Sequence, residues 1–486
     1  MNQNFLSVKD VTFRYFEQAK RNILEHVDLE IEKGKIVVLI GNSGCGKSTL
    51  AAVSAGLYPE NAGQLLSGSI RICGRELSTI ANSERAKLLS MMFQNPDLQF
   101  CMDTLKKEMI FCMENICVPK EEMDGRIGEL AEKLQIEELL DRNIHTLSGG
   151  EKQKAALCCL LLMNPAGIFL DEPFANIDEA STRKLIAMLK KQNEEQHTTL
   201  IAIDHRLDHW LSAADEFIVL GKNGQVLQGG ITVETLPRYR ELFLQEGLFY
   251  PEELPEFQPP EIGQTILELK SVSIRKGKRK EFLIEKADAS FEKGRITALI
   301  GHSGCGKTTL FSVILKQKKY EGTILLEGTD VKKMKPQKLF HRVGTVFQNP
   351  GNQFVSACVQ HEVEKSLSIW HPGLGEEEKK ERVFRLLEAY GMKQYRRYSP
   401  YMLSQGQQRR LAVLSMLVGN QQILLLDEPT YGQDARSTKA IMDQLLGLVK
   451  EREMTVIFAT HDLGLARRYA DRIYRMEGKE LIEWKN

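Results

Sequence analysis

Short runs of consecutive apolar residues alternate along this chain with longer stretches in which apolar positions recur at helical spacing. Residues 36–40, 167–170 and 200–203 are runs of the first kind. They are too short for helices and apolar at every position, so they predict strands buried on both faces of a sheet. Residues 5–15 and 23–31 alternate apolar with polar positions and predict half-buried opening strands. Residues 69–73 and 91–93 read as further strands, with a polar helix over 82–90 between them. Gln94-Asn95-Pro96-Asp97 then breaks the pattern. From 104 to 140 Leu, Ile and Met are spaced among Glu and Lys as in helices, and 155–163 is a strongly apolar helix. Strands alternating with helices predict an α/β core with a mostly parallel sheet.

The pattern then starts again. Landmarks of the first half recur in the second: Gly41 at Gly301, Gln94 at Gln348, Ser148 at Ser404, Asp171 at Asp427 and His205 at His461. The offset drifts through the early landmarks, as loop insertions would cause, and then holds at 256 residues. Two copies of one domain lie in tandem. The expected boundaries are 1–248 for the first, 249–264 for a short linker rich in proline and acid residues, and 265–486 for the second.

Bulk properties narrow the class by exclusion. Lys+Arg and Asp+Glu both total 65, so no global field draws the chain to nucleic acid or an anionic membrane. No apolar run approaches a membrane span, and the N-terminal residues lack the pattern of a secretory leader. The nine cysteines are odd in number, form no C-x-x-C pair and include two inside glycine-rich loops. They predict reduced thiols rather than a disulfide framework or a zinc cluster. Cys158 and Cys159 read as core residues, His145, His209, His302 and His361 as surface or packing residues, and 119–140 as a solvated helical face.

Candidate chemistry begins at Gly41-Asn42-Ser43-Gly44-Cys45-Gly46-Lys47-Ser48-Thr49, between the run 36–40 and the helix formers Leu50-Ala51-Ala52. Glycines let the backbone curl so that successive N–H groups point at phosphate oxygens. The helix start adds unpaired N–H groups, Lys47 a point charge for the outer phosphates, and Ser48 a hydroxyl for magnesium. Gly301-His302-Ser303-Gly304-Cys305-Gly306-Lys307-Thr308-Thr309 repeats the arrangement. Asp171 and Asp427 end apolar strands, where a carboxylate is costly to bury unless it faces a cation; Mg2+ and its waters would supply one.

Leu147-Ser148-Gly149-Gly150-Glu151 precedes an apolar helix and then Leu170-Asp171-Glu172-Pro173; Leu403-Ser404-Gln405-Gly406-Gln407 precedes Leu426-Asp427-Glu428-Pro429. With a phosphate loop before and a histidine after, all in order and twice, the chain resembles the ATP-binding cassette family over essentially its whole length. The resemblance implies two P-loop cassettes, each with a mostly parallel sheet core, an antiparallel β subdomain and a helical signature subdomain. It implies Glu172 and Glu428 as general bases, His205 and His461 beside them at the γ-phosphate, and Gln94 and Gln348 reaching metal and water. Ser48, Asp171 and Gln94, and Thr308, Asp427 and Gln348, would attend the magnesium. The family packs its cassettes head to tail. Gly41–Thr49 would then close against Ser404, Gln405, Gly406 and Gln407, and Gly301–Thr309 against Ser148, Gly149, Gly150 and Glu151.

Departures carry expectations too. Tyr15 stands where the family stacks an aromatic ring on adenine, whereas the second copy has Lys276, so the second site is expected to hold ATP less tightly. Gln405 and Glu151 depart from the usual signature, and 175–178 and 431–434 replace the usual small residues before a terminal Asp. With both glutamates and both histidines present, both sites are expected to hydrolyse ATP, unequally. Phe93-Gln94-Asn95-Pro96 and Phe347-Gln348-Asn349-Pro350, each with a second glutamine (Gln99, Gln353), look like the ATPases of energy-coupling-factor importers of cobalt and vitamins. That resemblance implies an integral membrane coupling subunit, a substrate-capturing membrane subunit and a place on the cytoplasmic face of the membrane. The residues around Phe100 and Met109 to Met113 would then form a groove for a membrane-subunit helix, core packing being the plainer reading. The competing class is a tandem-cassette ATPase acting on ribosomes. The short acidic linker and zero net charge count against it, as the absence of zinc-module spacing counts against a DNA-repair protein and the absence of spans against a fused exporter.

Overall fold

The structure is a computed structural model. It describes residues 4–16, 21–60, 62–174, 177, 179–251, 256–257, 260–261, 263–276, 281–302, 304–419, 421–430 and 433–484. The chain divides into two compact units, Met1–Pro251 and Glu252–Asn486.

In the first unit the buried runs become adjacent strands of a six-stranded sheet. Their order is Val226–Ile231, Glu216–Leu220, Ile36–Gly41, Thr199–Ile203, Gly167–Asp171, Leu89–Met92. All neighbours are parallel except the first pair. Side chains of Ile36–Gly41 alternate between two cores: Ile36, Val38 and Ile40 pack on one face, Val37 and Leu39 on the other. That is why the run is apolar throughout. The alternating strands Asn4–Arg14 and Leu24–Glu32 join Gln64–Ile72 and Arg75–Glu76 in a separate antiparallel sheet. The other core face is covered by helices Leu105–Asn115, Lys120–Leu134 and Gly149–Met163.

The second unit repeats the plan. Its main sheet runs Val343–Val346, Ile423–Asp427, Thr455–Thr460, Ile296–Ile300, Arg472–Glu477, Glu480–Glu483, parallel except for the last pair. Phe282–Glu292, Thr265–Arg275, Glu321–Leu326 and Thr329–Asp330 form its antiparallel sheet. Helices Val359–Trp370, Glu376–Ala389 and Gln405–Leu417 complete it.

One reading of the chain needs adjustment. Residues 119–140 are not simply a solvated face, because helix Lys120–Leu134 buries Met123, Ile127, Ala131 and Leu134 along one stripe. Within 249–264, the Tyr250 ring packs on Phe243 at 5.9 Å, and Phe257 is buried against Trp484 at 5.5 Å. All nine cysteines are free. No helix among the described residues is long and apolar enough to cross a membrane.

Candidate nucleotide sites

Four neighbouring parallel strands of the first unit end on one edge of the sheet, and each delivers part of a site. Ile36–Gly41 leads into the phosphate loop, Thr199–Ile203 into His205, Gly167–Asp171 into Asp171 and Glu172, and Leu89–Met92 into Gln94. The carboxyl ends of parallel strands are where open α/β sheets bind ligands.

The loop geometry follows from its glycines. Gly46 has φ 110°, and a Cβ there would sit 2.9 Å from Leu24. At Gly41 a Cβ would lie 2.6 Å from the Leu220 carbonyl oxygen, so neither position accepts a side chain. Helix Lys47–Ser54 starts at Gly46 without a side-chain cap, leaving its first N–H groups directed into the loop. The Lys47 ammonium donates to the carbonyls of Gly41 at 2.7 Å and Asn42 at 2.9 Å. Lys307 does the same at Gly301, 2.6 Å, and His302, 3.2 Å. Asn42 is held in addition by its amide donating to the Glu246 carbonyl at 2.6 Å. Ser303 lies outside the described residues.

Glu172 occupies a left-handed backbone conformation (φ 47°), with its N–H donating to the Ile203 carbonyl at 2.9 Å. For a non-glycine residue that conformation is uncommon and costs energy. The turn aims the carboxylate between two partners: His205 Nε2 at 2.8 Å and the Gln94 amide, which donates at 2.7 Å. Burial acts to raise the Glu172 pKa, but His205, Lys47 and Gln94 together hold it below the ordinary value. Glu428 repeats the backbone turn (φ 49°) and meets His461 Nδ1 at 3.1 Å and Lys307 at 3.8 Å. Burial opposes the charge on His461, yet its pairing with Glu428 leaves its pKa raised.

Asp171 and Asp427 lie beside these glutamates. Burial pushes Asp171 up to about 6 against the pull of the Ser48 hydroxyl, and its Oδ1 is buried without a hydrogen-bond partner among the described residues. Asp427 is raised by burial as well, with the Thr308 hydroxyl donating to it at 2.6 Å. A buried carboxylate with an orphaned oxygen beside a hydroxyl is a set of hard oxygen donors, and it fits a magnesium ion.

Tyr15 is half-buried, its hydroxyl 2.9 Å from the Thr49 hydroxyl and its ring edge-on to Phe13 and Tyr58. Lys276 is exposed. The signature residues belong elsewhere in each unit. Ser148 and Glu151 form a reciprocal capping box at the start of helix Gly149–Met163, and Arg142 pairs with Glu151 at 2.9 Å. Ser404 and Gln407 build the same box on helix Gln405–Leu417. Gly149, Gly150 and Gly406 fall in those first turns, as does the backbone of Gln405.

Three features escaped the sequence reading. The second glutamine of each motif bonds back to the strand end that precedes the first: the Gln99 side-chain oxygen accepts from the Phe93 N–H at 2.9 Å while its amide donates to the Met91 carbonyl at 3.2 Å. Gln353 accepts from the Phe347 N–H at 3.3 Å. Glu108, buried in helix Leu105–Asn115, accepts from the N–H groups of Cys101 and Met102, and Glu362 does so from Val355 and Ser356. Glu108 and Glu362 share the 254-residue offset of Gln94 and Gln348, the signal that could have exposed them. Third, Arg409 is buried behind Glu428. Met109 and Met113 are fully buried core residues, whereas Ile110 and Phe111 remain partly accessible.

Two phosphate loops, each on a parallel sheet with Asp-Glu, His and Gln at the neighbouring strand ends, define a tandem nucleotide-hydrolysing P-loop protein. Residues 24–175 and 284–431 each match the family described as ABC transporter. The chain belongs to that family, binds ATP, and is an ATPase with two ABC cassettes. A Bacillus subtilis (strain 168) protein named provisionally as the HMP/thiamine import ATP-binding protein YkoD is 37% identical over 96% of this chain and 89% of its own. A Methanosarcina mazei protein, provisionally an ABC transporter ATP-binding protein, is 32% identical over 98% and 88%. Among solved structures an RNase-L Inhibitor matches with a TM-score of 0.66 at 21% identity, over 98% of this chain and 90% of that one. An archaeal ribosome recycling factor, aABCE1, solved with a ribosomal stalk protein, matches with a TM-score of 0.66 at 22% identity, over 98% and 89%. At such identities the likeness is one of tandem fold alone.

Proposed function

We propose that the chain is the ATP-hydrolysing motor of a membrane importer of the energy-coupling-factor type, driving uptake of a vitamin-like or metal micronutrient through separate membrane subunits. The observation that carries this is the 37% identity to a relative named for HMP/thiamine import, nearly end to end in both chains. The motor sits on the cytoplasmic face of the membrane. Its partners are an integral coupling subunit and a substrate-capturing subunit.

In this reading the cassettes pair head to tail within the chain. Site one joins the loop at Lys47 to Ser404 and Gly406; site two joins the loop at Lys307 to Ser148 and Gly150. Each lysine exchanges its loop carbonyls for the outer phosphates. The signature serine and the N–H groups of its helix start grip the γ-phosphate from the other side. Ser48 with Asp171, and Thr308 with Asp427, would hold magnesium, Gln94 and Gln348 completing each set. When bound, the ion neutralises charge growing on the phosphate oxygens. Glu172, kept ionised by its partners, takes a proton from the attacking water as the water oxygen bonds to the γ-phosphorus and the bond from that phosphorus to the β-phosphate oxygen breaks, ADP leaving; His205 fixes the carboxylate in line. Glu428 and His461 do the same at site two. Closure would move the surface next to each glutamine loop. Leu98 is exposed close after the first glutamine loop and Val355 close after the second, where Val355, His361, Glu364 and Lys365 line a cavity of about 450 Å³. Such a surface suits a helix of a coupling subunit.

The test is a gentle detergent pull-down of the tagged chain from native membranes, followed by mass spectrometry. A multi-span protein with one or more small membrane subunits is the expected company. Ribosomes, or the chain alone, would overturn the importer reading and leave a tandem ATPase.

A further inference from the structure

Behind the second glutamate lies a residue that no motif reading assigns. Arg409, at the fifth position of helix Gln405–Leu417, is only 3% exposed. Its guanidinium donates to the backbone carbonyl of Glu428 and, through its other arm, to the backbone carbonyl of Gln348 at 2.8 Å. The Glu428 N–H is fixed from the opposite side by the Ala459 carbonyl at 2.9 Å. Both ends of the residue are therefore pinned while its backbone stays in the costly left-handed conformation. A buried guanidinium is expensive unless its fork is used, and a charge-assisted fork is stronger and more directional than neutral donors.

The first cassette has Gln153 at the equivalent place, 256 residues earlier. Its neutral amide reaches the Glu172 carbonyl at 3.5 Å. There the carboxylate is held closely by His205 and Gln94 and the carbonyl only by that long amide contact; in the second cassette the carboxylate contacts are longer and the carbonyl is held by a guanidinium.

We propose that Arg409 is a positioning residue for hydrolysis in the second cassette. It ties the signature helix, the glutamine loop and the general base into one unit, so that Glu428 is aimed through its main chain. Because Arg409 leaves from the signature helix, a shift of that helix carries Glu428 and Gln348 with it. This inference rests on Glu428 acting as the base.

The experiment uses the full chain carrying Glu172→Gln, so that turnover reports the second base. In that background Arg409→Gln, which installs the residue the first cassette already uses, is expected to lower kcat about tenfold, the loss of roughly one charge-assisted hydrogen bond. Fluorescent ATP binding should stay within about twofold, because these two bonds of Arg409 go to carbonyls of the base and the glutamine loop rather than to the phosphate loop. Arg409→Lys keeps the charge without the fork and should fall between, about threefold down. Unchanged kcat in both variants overturns the proposal. So does a fall in kcat matched by an equal loss of ATP affinity and of thermal stability, the mark of a merely structural residue. Adding Glu428→Gln to the Glu172→Gln chain is the control: if turnover survives it, the base assignment has failed and not the role of Arg409.

Discussion

In the first cassette the carboxylate of Glu172 is gripped directly, by His205 at 2.8 Å and Gln94 at 2.7 Å. In the second, His461 stands 3.1 Å from Glu428 and Lys307 3.8 Å, while Arg409 and Ala459 hold the glutamate's backbone. The strand order that delivers these groups is the same in both units. The glutamate N–H is held alike in both, by Ile203 and by Ala459; what differs is the balance, with the carboxylate held more tightly in the first cassette and the carbonyl, by a guanidinium rather than the amide of Gln153 at 3.5 Å, in the second. Ordering a long carboxylate side chain costs conformational entropy that direct hydrogen bonds offset; pinning the peptide leaves the side chain more freedom. The position proposed to stack on adenine differs likewise, with Tyr15 braced by Thr49, Phe13 and Tyr58 in one cassette and an exposed Lys276 in the other. Both contrasts make the first cassette the better-ordered site.

That contrast can be sharpened, beginning with its largest consequence. Replacing Tyr15 by Ala should weaken ATP binding at the first loop by about tenfold or more, since a base–aromatic stack is worth about 1–3 kcal/mol. Lys276→Tyr should tighten the second, and titration with a fluorescent ATP analogue reads both. Asp171→Asn should raise the thermal midpoint of the ligand-free chain at pH 7.5 by several degrees. The sign follows from its raised pKa: the folded chain holds the Asp171 proton up to about 6, the unfolded chain releases it near 3.8, so folding loses stability as pH rises through that window. The loss is about 3 kcal/mol at most, and Asn removes it above pH 6 while leaving little effect at pH 4. An Asp171→Asn midpoint that drops at pH 7.5, measured without metal, would contradict the account. Smallest is Gln99→Ala, expected to slow turnover a few-fold by freeing the loop that carries Gln94, with Gln353→Ala milder because its bond to Phe347 is longer, 3.3 Å against 2.9 Å.

Much of this was legible in the residues. Apolar runs fully buried on both faces located the parallel strands, and the repeat offset located the second cassette before any geometry was known. Loop residues such as Lys47 and strand-end residues such as Asp171 were legible because phosphate and cation chemistry needs those types at that spacing. What stayed hidden acts through the backbone. Gln99 was visible as part of a repeated pattern and Glu108 recurs at the repeat offset, but what they and Arg409 bond to, backbone N–H and carbonyl groups, cannot be read from side-chain patterning. A polar residue inside a helical stripe, as Glu108 is, reads as surface until its buried partners are seen. The amphipathic stripe of helix Lys120–Leu134 was obscured in the same way, by the charge of its outer face.

The most direct test of the account is the ATPase rate of the purified chain carrying Glu172→Gln, Glu428→Gln or both. Two working and unequal sites predict that each single change lowers turnover, Glu172→Gln by the larger factor, and that the double variant is silent. A single variant that turns over at the unaltered rate would show that its glutamate is not the base of a working site, and the pairing of two active cassettes in this chain would be wrong.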